Sequence, residues 1–213
     1  MSNWKPFCTA MHLTALGLWA GSVAMAAATA AVAFPTLKAL GVELPSVGAA
    51  FQPDAYRFAA GAVAASVFFI SDVVAFACAM IACVTLLVLM LGGHLGPRRP
   101  STYVRALALG VAVASLAAIL FVVTPGISAG AKGHLAAARA GDEKAAAMHK
   151  QAVDDLHPIS TNLLAAEFAS VLVALFLAAW AAGGGGPGEG PPGVSEADGR
   201  PAYPEPALRR RGG

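Results

Sequence analysis

Four stretches of this chain are long, apolar and almost free of charge, and that pattern constrains the fold more than any other feature. A span across hydrocarbon needs about 20 apolar residues. Residues 7–34 carry no charge apart from any proton on His12, and residues 58–91 carry one ionisable acid, Asp72. Residues 106–123 carry none, and residues 159–182 carry one, Glu167. Polar and apolar residues do not alternate and alanine is frequent, so these are helices and not barrel strands.

Composition narrows the class further. The 213 residues are 57% hydrophobic and 12% charged, against about 25% charge in a soluble domain. A nucleic-acid-binding module, a disordered chain and an ordinary cytosolic enzyme are excluded. A net charge of +2 is too small to suggest a polyanion partner. Three cysteines do not make a disulfide framework. The expectation is an all-α, four-transmembrane-helix bundle with an external amphipathic helix and a disordered C-terminal tail. Its surroundings are the lipid bilayer of a plasma or inner membrane, with no nucleic acid, no cofactor and no metal.

Residues 7–34 exceed a secretory core of about 7–15 residues, so a retained span is the better reading, with cleavage in the alanine run as the alternative. Residues 58–91 would reach roughly 51 Å against about 30 Å of hydrocarbon. Either this helix tilts, or its first turns stand outside the membrane. In the second case Asp72 lies near the outer surface.

Orientation follows from lysine and arginine. The amino terminus, the connection 92–105 and the tail carry Lys5, Arg98, Arg99, Arg105, Arg200 and Arg209–Arg211; the other side carries Lys38, Arg57, Lys132, Arg139, Lys144 and Lys150. The short connection has three arginines and no acid, which puts both termini in the cytoplasm. The third connection lies outside. There Gly141-Asp142-Glu143 reads as a helix start with Asp142 as N-cap, and Ala145, Met148, Ala152 and Leu156 follow at helical spacing. Pro158 ends that helix or opens the next. The membrane domain is residues 1–183; residues 184–213, rich in glycine and proline, form a tail with no core to bury.

Small residues recur at Gly17, Gly21, Ala24 and Ala28, and at Ala106, Gly110, Ala114 and Ala118. Such stripes let helices approach closely in lipid. They fit a homo-oligomer or membrane partner, or packing among the four spans, and the second reading is favoured. Trp4, Tyr103 and Trp180 fall where an aromatic belt is expected.

The polar residues with most to say open the fourth span. His157, Ser160 and Glu167 share one helical face, and Asp72 could meet them in the outer leaflet. A carboxylate at that depth is costly unless protonated, paired or hydrated, which makes it a candidate for binding a cation or relaying protons. The competing reading is a neutral Glu167 bonded to a neighbouring helix, with Asp72 in the headgroups. Asn162 points away and suits a bond to the first or third span. On the cytoplasmic side Cys8 and His12 share a face, and Cys83 and His94 could approach them, a donor set for zinc or copper. Buried cysteines and an interfacial histidine are the preferred account of them. His134, His149 and His157 lie outside, and His12 cannot pair with His157 across the membrane. Nucleophile, P-loop and dinucleotide motifs are absent, so an enzyme is not expected.

The pattern His12-x6-Trp19-x-Gly21 with Phe34-Pro35, the exit Thr124-Pro125-Gly126-Ile127, and Leu156-His157-x2-Ser160 resemble the transmembrane protein 205-like family, a four-span domain of unknown function. The resemblance covers most of residues 7–182. It implies weight on His12, Trp19, Gly21, Pro125, His157 and Ser160, and supplies no reaction. Asn162 follows Ser160 more closely than in that family, and the glycine-proline tail is not a family feature. A weaker likeness is to copper-resistance D-like membrane proteins. Three functions stand open: a protein that binds or moves a solute, ion or metal at the span-4 stripe, a metal- or haem-handling subunit, and a non-catalytic scaffold.

Overall fold

A computed structural model describes residues 4–92 and 100–183, and every described regular element is helical. Helix α1 spans Trp4–Ala39 and α2 spans Ala55–Leu91, with a 3-10 turn at Ala49–Asp54 leading into α2. Helix α3 spans Pro100–Ala118 and passes through a π segment, Ile119–Val123, into α4, Thr124–Ala140. Helix α5 spans Glu143–Ala182. Four helical runs are long and apolar enough to cross a membrane, the third being the continuous run Pro100–Ala140. The chain is a multi-pass membrane protein built as a four-helix bundle.

Steps of three and four residues separate the buried positions of each helix. They are Cys8, His12, Ala15, Trp19, Val23 and Ala26 on α1, and Ser71, Ala75, Cys78, Ala82, Thr85 and Leu89 on α2. Thr102, Arg105, Leu109, Ala112 and Leu116 continue the pattern on α3, and Glu167, Val171, Ala174 and Ala178 on α5. Leu16, Ala20, Ala79, Leu86 and Ser115 are buried beside these positions, so the seam is wider than the strict two-position seam of a coiled coil. Helix α1 lies along α2 and α3 along α5, with α1 also touching α5; α2 meets α3 only briefly.

The helices are longer than hydrocarbon requires. At 1.5 Å per residue, the 40 residues of α5 give about 60 Å, twice the hydrocarbon thickness. All four runs exceed that thickness, and at the end of the bundle away from the start of α1, α4 and the first half of α5 form a hairpin. Three of the runs carry a proline: Pro35 in α1, Pro125 at the start of α4 and Pro158 in α5. Pro125 has no N–H for the carbonyl of Phe121, and the π segment directly before it absorbs that missing bond.

Several expectations change here. Residues 143–182 are one helix through Pro158, so there is no separate external helix. Its packed side carries Ala146, Val153 and Leu156, whereas Met148 and Ala152 face outward. Asp142 is the N-cap as expected, its carboxylate accepting from the Ala145 amide at 2.9 Å. Ahead of it the Asp142 amide bonds the Ala137 carbonyl and the Gly141 amide the Ala138 carbonyl. Gly141 sits at φ 72°, the left-handed closure that glycine allows at a helix end. Arg105 belongs to α3 and not to a loop. The glycine-proline tail, His94, Arg98 and Arg99 lie outside the described residues.

The small-residue stripes also move. Gly17, Gly21, Ala24, Ala28, Gly110 and Ala114 are exposed, and a Cβ on any of these three glycines would meet nothing within 4 Å. Close approach happens elsewhere, between α4 and α5. A Cβ on Gly126, Gly130 or Gly133 would stand 2.6, 2.7 or 2.5 Å from Leu156, Val153 or His149 respectively. Intramolecular packing therefore uses the α4 glycines; the first stripe and the middle of the second point away from the bundle, whereas Ala106 and Ala118 at the ends of the second are half-buried.

Candidate functional site

Buried polar side chains occupy the seam at two levels. Nearer the end where α1 begins, His12 is fully buried. Its Nδ1 lies 3.1 Å from the Ala82 carbonyl and 2.9 Å from the Thr85 hydroxyl. Arg105 donates from Nε to His12 Nε2 at 3.2 Å. A guanidinium is a donor only, so Nε2 must be the acceptor and the ring proton sits on Nδ1. The Ala82 carbonyl and the Thr85 hydroxyl, which itself donates to the Ile81 carbonyl at 2.7 Å, receive that proton. Both ring nitrogens are engaged, and no lone pair is left for zinc, copper or haem iron.

The second level is seven residues further along α1, about 10 Å away. Trp19, also 0% exposed, donates its indole N–H to Oε1 of Glu167 at 2.6 Å. Glu167 is 1% exposed. Asp72, half-buried on α2, is close enough to act on it electrostatically. Between the two levels lie Ala15, Leu16, Leu109 and Ala112, all buried and apolar. The lower level is cationic through Arg105, and the upper holds the two carboxyl groups.

The predicted stripe on span 4 divides. Glu167 enters the bundle, Ser160 is half-buried at its edge, and His157 is exposed on the first half of α5. Asn162 is exposed and faces away from the neighbouring spans. Of the residues weighted by resemblance, His12 and Trp19 make buried polar contacts from α1 to neighbouring helices, whereas Gly21 and Pro125 are exposed. Cys8 and Cys78 are buried and Cys83 is exposed. Among the described residues no three histidine, cysteine or acidic side chains could together hold a metal. In the α4–α5 hairpin His134 meets Phe58 at a tilt of 53° with ring centres 4.8 Å apart.

Sequence reasoning missed Arg105 and Thr85. The steps 102, 105, 109, 112, 116 contained the signal, because continuing the apolar pattern of α3 backwards places Arg105 on the seam. Compared with protein families, curated proteins and solved structures, the chain matches none.

Proposed function

We propose that this protein binds or moves a small cation, a proton being the simplest, at the pair Glu167 and Asp72. The observation carrying the reading is the position of Glu167. A carboxylate inside a membrane bundle is costly, yet this one is fully buried, oriented by an indole N–H and within electrostatic reach of a second carboxyl group. Asp72 is the less buried of the two, which suits a route from the outer side. The reading is one of binding or transport and not of covalent catalysis. Location in a plasma or inner membrane with both termini cytoplasmic belongs to the same proposal. So does membership of the transmembrane protein 205-like family, supported by the roles of His12 and Trp19.

The test is proton flux in proteoliposomes carrying a trapped pH dye. Wild type should dissipate an imposed pH gradient faster than empty vesicles. Glu167→Gln and Asp72→Asn should each slow that rate toward that of empty vesicles, because each removes an ionisable group from the route. Equal rates in wild type and Glu167→Gln would sink the reading.

A second reading, a scaffold that meets another membrane chain, is favoured by the open face of Gly17 and Gly21. It requires Gly21→Leu to change the oligomer seen by cross-linking in membranes.

A further inference from the structure

Arg105 stands apart from the carboxyl site. It is 5% exposed and lies on the α3 seam at the level of His12. Among the described residues its hydrogen bond runs from Nε to His12, which is neutral, and no carboxylate lies within 4 Å. Glu167 is a heptad away along α1, about 10 Å. A guanidinium has five N–H donors, and a charge taken out of water without a counter-charge is expensive. Among the described residues no buried side-chain nitrogen or oxygen is without a hydrogen-bond partner, so what Arg105 lacks there is a counter-charge and not a bond.

Three observations say what kind. Helix α3 starts at Pro100, five residues before Arg105, so its first-turn N–H groups and the positive end of its dipole lie on the same side. Trp4, Tyr103 and Trp180 are each at least 60% exposed near this end of the bundle, which sets the headgroup level there. Among the described residues helices α2 and α3 touch only briefly, which makes the α2–α3 side the least closed side of the described bundle.

We propose that Arg105 is the anchor of an anion site that takes a phosphate group, presented by an anionic lipid headgroup from the α2–α3 side. The planar guanidinium matches two phosphate oxygens, while His12 holds Nε and so aims the group. The proposal is independent of proton flux at Glu167.

The experiment uses the full chain, delipidated in a neutral detergent. Binding of dioleoyl phosphatidylglycerol, dioleoyl phosphatidylcholine and inorganic phosphate is measured by native mass spectrometry and thermal shift. Wild type should bind phosphatidylglycerol about tenfold more tightly than phosphatidylcholine, the preference expected of a charge-assisted contact. Arg105→Gln should lose that preference and Arg105→Lys keep part of it. Stabilisation by inorganic phosphate equal to that by lipid would support the site and identify its ligand as the free anion. Equal binding of the two lipids by wild type, with no effect of phosphate, would overturn it. So would a preference that survives in folded Arg105→Gln. The wild-type comparison decides even if both variants fail to fold.

Discussion

The contact between Trp19 and Glu167 ties helices 148 positions apart in sequence, and each partner makes the other tolerable. An indole N–H buried in a bundle needs an acceptor, and a buried carboxyl group needs donors. Replacing Trp19 by phenylalanine keeps an aromatic ring and removes the donor, so thermal denaturation in detergent should show a loss of about 1–3 kcal/mol. Glu167→Gln retains an acceptor for the indole and should cost less stability while altering flux. That ordering separates a transport role from a purely structural one. No change in Trp19→Phe would mean the bond contributes nothing to the fold. Neither residue announced its partner in the sequence: Trp19 came forward only through a resemblance, and Glu167 only as a carboxylate at an awkward depth.

At the scale of elements, the α4–α5 hairpin shows how helices run past the length that one crossing needs without ending. Its turn is short because Gly141 closes one helix and Asp142 caps the next. Its two arms approach through Gly126, Gly130 and Gly133. Gly130→Ala should therefore cost about 1–3 kcal/mol, the usual penalty for an overpacked contact, read as a lower melting temperature. Gly17→Ala, on an open face, should leave the melting temperature of the monomer unchanged within about 0.5 kcal/mol. Equal effects would contradict the packing described above. Glycine spacing alone could not rank these positions, because G-x-x-x-G says that a helix face is small and not what covers it. The turn at residues 141–143 was legible, since capping is chemistry between neighbours. The continuity of α5 was not: Pro158 breaks a hydrogen bond, and only the packing of Val153 and Leu156 on α4 carries the helix through it.

For the whole molecule, the order of the helices puts the start of α1 and the end of α5 at one end of the bundle and the α4–α5 hairpin at the other, and the proposed orientation makes that hairpin external. Single cysteines in a background lacking Cys8, Cys78 and Cys83 test this with a membrane-impermeant maleimide. Ala147→Cys should label in intact cells, and Lys5→Cys only after permeabilisation; the opposite pattern would invert the topology. The number of long apolar helices, and the all-helical class, were determined by the sequence alone. Hydrocarbon demands about 20 apolar residues and internal backbone bonding, and both demands are local. What only the tertiary structure decided is which polar groups meet. A step of one residue turns a side chain by about 100°, so a candidate stripe on one helix has no fixed partner until the neighbouring helices are placed. The fold set Arg105 against His12 and Glu167 against Trp19 because burial in lipid leaves each polar group only the partners that packing brings within reach.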